Sequence, residues 1–344
     1  MSGLTAGAPL EPALLAVGRR TVRFVDAARD QRALTADIWY PAAHESAERS
    51  QYELFPGVSF AAATAQHEPP VLPGRYPLVL LSHGRTGMRI SYSMLCEALA
   101  ARGAVVVSAD HPGDALLDWL LGQQADDRTN EVNRVADAHF LLAALLGPQH
   151  HLMPGEVCAV IDAERVVLAG HSYGAYTAFA ATAGSRGVGA LPVVKAVIGL
   201  QAYTRSMSDG LLGRITVPSL LVVSQADQVT PPHVDAERPW ALLRGTPSWR
   251  LDLAGAGHQA ISDIALYAEL APQVPGLPEL VRDYLRSAAT GSQSAGARGW
   301  RELLLLQLQA VWAFLQVALG LDAAAGLATV EQLEHTGGIT LSRR

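Results

Sequence analysis

The stretch RVVLAGHSYGAYTAFAATAG, residues 165–184, constrains the fold more than any other part of the chain. Val166, Val167 and Leu168 form an apolar, largely β-branched run of the kind that makes a short buried strand. From Tyr173 onward Ala, Thr and aromatic residues continue without a breaker for about three turns, which predicts a helix. Only a tight turn can join the two. The central residue of such a turn is forced into a strained backbone conformation, and its flanks must be glycine so that strand and helix approach without a Cβ clash. Gly170 and Gly174 are those flanks and Ser172 is the centre. The Ser172 hydroxyl is then expected to project from the sheet edge at a helix N-terminus, where N–H groups and the helix dipole favour developing negative charge. The plainer alternative is a glycine-rich turn whose serine only caps the helix. What decides between them is whether a base and an acid follow.

Around this turn, apolar runs at 77–82, 103–110, 194–200, 219–225 and 248–253 alternate with loops or helical segments. That alternation predicts an α/β fold with a mostly parallel sheet covered on both faces. Residues 21–26 and 34–40 predict an antiparallel hairpin at its N-terminal edge. Helices are expected over 91–103, stopped by Gly103, and over 130–147, where Arg134 and Asp137 read as a surface pair at i, i+3. The whole chain, 1–344, reads as one domain: a core over about 20–290, a linker at 291–299 and a helical extension at 300–344 packed on the core. The run WRELLLLQLQAVWAFLQVALG (300–320) carries Arg301, Glu302, Gln307, Gln309 and Gln316. A membrane span would bury these at several kcal/mol in total, so no transmembrane segment is expected. Residues 115–124, ALLDWLLGQQ, are a candidate lid.

A formal net charge of -6 gives no electrostatic case for nucleic acid. Cys96 and Cys158 lie in apolar segments without C-x-x-C or Cys/His spacing and read as buried thiols. Pro9, Glu11 and Pro12 interrupt the N-terminal apolar stretch, so a cytoplasmic location is the expectation unless a signal peptide has been removed. A homodimer is neither demanded nor excluded.

A serine nucleophile needs a general base. Among eleven histidines, His258 stands out, because LAGAGHQAISD places it in a Gly-rich loop after the last strand of the alternating set. The acid that fixes its tautomer is expected at Asp227, in the turn after the preceding strand, with Asp110 and Asp252 as rivals. The order Ser172, Asp227, His258 is that of one of the three common triad orders. An oxyanion hole is expected from the backbone N–H of Tyr173 and, in LLSHGRTG (80–87), that of Arg85. The wall residues expected around a substrate are Arg85, Thr86, His111, Tyr173 and Tyr203. The Arg85 side chain is expected either to meet a substrate carboxylate or phosphate or to turn outward to Asp114 or Asp118.

Taken together, LTADIWYPA, YPLVLLSHGRTG, LAARGAVVVSADHPGD, NRVADAHFLL, GHSYGAYTA, SQADQVTP and GAGHQ resemble the bacterial platelet-activating-factor acetylhydrolase and dienelactone-hydrolase-like esterases. They are also similar to the cutinase-like polyester hydrolases of actinobacteria. The resemblance covers roughly residues 20–270. It implies an α/β-hydrolase fold, a serine esterase mechanism without cofactor or metal, Ser172, Asp227 and His258 as triad, and Arg85 and Tyr173 as oxyanion donors. The serine argues against dienelactone chemistry proper, which uses cysteine. The expected function is hydrolysis of small or short-acyl carboxylic esters, the partner being a small-molecule ester. A polyester hydrolase or an acyltransferase on the same triad, and a non-catalytic binding protein on the same scaffold, are the alternatives.

Overall fold

The structure is a computed structural model that describes residues 4–7, 14–44, 48–147, 155–290 and 298–344. Its strands are β1 (Ala16–Asp26), β2 (Arg32–Ala42), β3 (Arg49–Phe55), β4 (Val58–His67), β5 (Tyr76–Ser82), β6 (Val105–Ala109), β7 (Ile161–His171), β8 (Val194–Leu200), β9 (Ser219–Ser224), β10 (Ser248–Leu253) and β11 (Ile339–Arg343). All join one sheet in the order β11-β10-β9-β8-β7-β5-β6-β2-β1-β4-β3. The block from β6 to β10 is parallel. β1 and β2 form the expected antiparallel hairpin, and β2 lies antiparallel to β6.

Three strands lie outside the expected set. β3 and β4 pair as a hairpin at one edge, and β11 pairs antiparallel with β10 at the other. β4 contains the run Ala61–Ala62–Ala63, which carries no β-branched signal, and β11 is only five residues long. The extension expected to be helical from 300 to 344 therefore begins as the helices Trp300–Ala318 and Ala323–Glu334 and ends in the sheet. Most of the expected linker, residues 291–297, lies outside the described residues.

Side chains alternate across the sheet and build two cores. Val79, Leu81, Val106, Val167 and Ile198 pack on one face with Leu95 and Leu99 of the helix Ser93–Ala100 and with Leu304 and Phe314 of Trp300–Ala318. Leu78, Leu80, Val105, Val107, Val166 and Leu168 pack on the other, with Leu141 and Leu145 of the helix Asp127–Leu146 and Phe179 of Tyr173–Ala183. Each such side chain contributes roughly 1.5–3 kcal/mol through burial. Cys96 and Cys158 are free and buried, one in each core. No helix among the described residues is long and apolar enough to cross a membrane.

The helix Asp127–Leu146 shows where periodicity misled. Arg134 and Asp137 are buried and do not pair with each other. Arg134 Nε donates to Asp114 Oδ2 at 2.7 Å, while Asp137 accepts both Arg32 Nε and Nη2 at 2.8 Å. Their partners lie in β2 and in the loops after β5 and β6, so the buried face of this helix carries charge.

Candidate functional site

The loops that follow the C-terminal ends of β5, β7, β9 and β10 meet at one rim of the sheet. This is the rim where parallel α/β sheets gather their loops. The first requirement is the turn after β7. Ser172 adopts φ 54, ψ -118, a conformation that L side chains resist. A Cβ on Gly170 would stand 2.1 Å from the Gly174 carbonyl oxygen, and one on Gly174 would stand 2.0 Å from that of Ser82. Glycine at both positions is therefore a steric necessity.

Asp227 lies in the loop after β9 and His258 in the loop after β10. His258 Nδ1 is 2.7 Å from Asp227 Oδ2, which places the proton on Nδ1 and leaves Nε2 with its lone pair. Asp227 Oδ1 accepts the N–H groups of Val229 and Thr230, each at 2.8 Å, and Thr230 Oγ1 lies 2.7 Å from Oδ2. Burial alone would raise the Asp227 pKa; the hydrogen bond and charge of His258 and the donors of Thr230 outweigh it and hold the carboxyl below its usual range. The two rivals are held elsewhere. Asp110 accepts the Arg89 N–H at 2.7 Å and its Nη1 at 2.6 Å, and Asp252 accepts Arg250 Nη2 at 2.8 Å.

A second chain of bonds, built on Tyr92 and His171, ties the loops together and had no sequence signal beyond polar residues in apolar surroundings. The Gly84 N–H donates to Tyr92 Oη at 3.2 Å, and Tyr92 Oη lies 2.9 Å from His171 Nδ1. His171 Nε2 lies 2.8 Å from the His258 carbonyl oxygen, so Nε2 carries the proton and Nδ1 accepts from tyrosine. The loop after β5, the serine turn and the His258 loop are thereby fixed to one another. Burial, then the adjacent His258, lowers the His171 pKa to about 3.

Ser172, His258, Gly84, Arg85 and Thr86 line one cavity of about 750 Å³. Among the described residues, the backbone N–H groups of Arg85 and Tyr173 have no protein acceptor. The walls are mainly apolar. Leu116, Trp119 and Leu120 come from the short helix Leu116–Leu120 inside the candidate lid, and Leu280, Val281 and Tyr284 from the helix Glu279–Thr290. The Trp119 and Tyr284 rings approach to 6.0 Å across the mouth.

Three expected wall residues stand elsewhere. His111 is buried behind the loop, with Nδ1 3.0 Å from Asp137 Oδ2, because that carboxylate draws its ring away from the cavity. The Tyr203 ring lies 5.5 Å from the Tyr173 ring, tilted by 60°, outside the cavity lining. The Tyr173 ring packs beneath Arg85 and Arg134, its hydroxyl donating to the Asp127 carbonyl at 3.2 Å. The Arg85 guanidinium pairs with Asp127 at 2.7 Å, and not with Asp114 or Asp118. Asp114 is taken by Arg134, and Asp118 caps the backbone of Gly113 and Ala115. Among the described residues no group of three or more His, Cys, Asp or Glu is arranged to hold a metal ion.

Residues 63–209 match the family model described as Chlorophyllase. The structure is similar to that of a ferulic acid esterase from Streptomyces cinnamoneus, with a TM-score of 0.68 and 24% sequence identity over 92% of this chain and 93% of that one. At that identity the likeness is one of fold.

Proposed function

Proceeding from a chain with the α/β-hydrolase fold, we propose that it is a serine carboxylester hydrolase. The observation that carries the reading is the 2.7 Å Asp227–His258 hydrogen bond beside a serine held at positive φ in the lining of the same cavity. In this reading His258 Nε2 takes the Ser172 proton as Oγ attacks the ester carbonyl. Asp227 keeps the proton on Nδ1 and stabilises the imidazolium. The free N–H groups of Arg85 and Tyr173 receive the carbonyl oxygen as it becomes an oxyanion. His258 then returns the proton to the departing alcohol, and water activated by the same nitrogen releases the acid. The apolar walls favour a neutral ester. The cavity volume supports a short acyl group beside a larger apolar alcohol, or the reverse. Because Arg85 is already matched by Asp127, recognition of a substrate anion is not part of this reading.

A fluorophosphonate should label Ser172, and a series of p-nitrophenyl esters of graded acyl length should be hydrolysed. Ser172→Ala should lower kcat/KM by about 10⁴-fold or more with melting unchanged. An adduct on a different serine, or a series in which no ester is cleaved, would overturn the proposal.

A further inference from the structure

The Gly84 carbonyl oxygen draws an unusual number of donors. It accepts the Gly87 N–H at 3.0 Å, lies 2.7 Å from His83 Nδ1 and accepts Arg134 Nη2 at 3.2 Å. The His83 tautomer follows from its other nitrogen. The His111 N–H donates to Nε2 at 3.1 Å, so Nε2 is the acceptor and Nδ1 carries the proton. Burial, then the charge of Arg134, pushes the His83 pKa well below that of an ordinary imidazole, so the ring is neutral. Three donors therefore converge on one oxygen, and one of them is a fully buried guanidinium.

That oxygen belongs to the same peptide unit as the Arg85 N–H. In a trans peptide the C=O and N–H point in opposite directions. Holding the oxygen toward Arg134 turns the Arg85 N–H away from it, toward the serine side. Drawing electron density onto the oxygen also strengthens the N–H as a donor, because hydrogen bonds in a chain polarise one another. Pairing with Asp114 uses only Nε of Arg134; Nη1 donates to the His83 carbonyl at 2.7 Å and Nη2 reaches Gly84. The same guanidinium lies 5.2 Å from the ring centre of Tyr173, the residue that carries the second free N–H. The Asp114 carbonyl in turn accepts the Thr86 N–H at 3.1 Å, closing the loop from its far side.

We propose that Arg134 and His83 are positioning residues for the oxyanion hole, orienting and polarising the Gly84–Arg85 peptide so that its N–H stabilises the charge formed on the ester oxygen. The proposal rests on the hydrolase reading above. A donor that acts only on developing charge affects kcat and leaves KM almost unchanged.

The test compares His83→Leu, His83→Asn and Arg134→Lys with the wild type on p-nitrophenyl butyrate. The Asn amide nitrogen replaces Nδ1 as a donor, whereas Leu cannot; Lys keeps the charge opposite Asp114 but lacks the fork. His83→Leu and Arg134→Lys should each lower kcat by about 10- to 100-fold with KM within about twofold, and His83→Asn should recover most of the loss. Affinity for an alkyl boronic acid, which forms a tetrahedral adduct, should fall in step with kcat/KM. Should His83→Leu melt early, the kcat and KM of Arg134→Lys decide the matter alone. Equal losses in His83→Asn and His83→Leu, or a raised KM with unchanged kcat in normally melting proteins, would overturn the proposal. In that case labelling of Ser172 and wild-type hydrolysis would still stand. A wild type that neither cleaves esters nor takes the label removes the hydrolase reading and this proposal with it.

Discussion

His171 is the residue on which most of the site's rigidity converges. Its ring lies 4.7 Å from that of His258, tilted by 45°, accepts from Tyr92 on one side and donates to the His258 backbone on the other. A proton added to Nδ1 would abolish the acceptor that Tyr92 needs. The native ring refuses that proton until about pH 3, whereas an unfolded histidine takes it near 6.5. Between those values the unfolded chain binds more protons, so stability falls as pH is lowered, by about 1.4 kcal/mol per pH unit at most from this one group. Urea unfolding from pH 7 to pH 4 should show stability falling with pH, and His171→Asn, which cannot titrate, should show a shallower slope than the wild type. Identical slopes would mean that His171 is not buried in solution. The meeting of Ser172, Asp227 and His258 at one rim was legible in the sequence because each lies in the turn or loop that follows a strand and is marked by local glycine or proline. Arg134, Asp137 and His83 were not, since burial of a charge depends on partners far along the chain, such as Asp114 and Arg32.

At the scale of elements, two short helices frame the mouth of the cavity. Leu116–Leu120 and Glu279–Thr290 face each other with Trp119, Leu120, Leu280 and Tyr284 exposed at the cavity mouth. Exposed apolar side chains gathered at one place mark a binding surface, whereas scattered ones do not. The sequence marked the first segment as a candidate lid but gave no hint of the second, whose apolar face looks like an ordinary core face until the fold sets it opposite Trp119. The double variant Trp119→Ala, Tyr284→Ala should lower kcat/KM for dodecanoate esters roughly 10- to 100-fold while leaving acetate esters within about twofold. A uniform drop across chain lengths would mean that the helices shape the catalytic loops instead of the binding wall.

At the scale of the molecule, the last fifty residues brace loops that were formed much earlier in the chain. Gln307, fully buried in Trp300–Ala318, donates to the Ala260 carbonyl at 2.9 Å and accepts from Gln201 at 3.0 Å. Gln201 follows β8, and Ala260 sits two residues beyond His258. The polar residues that argued against a membrane span thus include one that holds the His258 loop. Gln307→Leu removes the donor to the buried Ala260 carbonyl and leaves Gln201 Nε2 with Ser224 Oγ alone, and should cost about 1–3 kcal/mol in urea unfolding. No loss would mean that the bond is not made in solution. β11 adds a strand along β10, the strand that leads to His258. During synthesis, the chain therefore delivers Ser172, Asp227 and His258 well before it delivers Gln307 and β11. A nascent chain that has emerged only as far as Thr290 holds Ser172, Asp227 and His258 without that bracing, so in the hydrolase reading its ester hydrolysis should stay low until the helix Trp300–Ala318 and β11 have emerged.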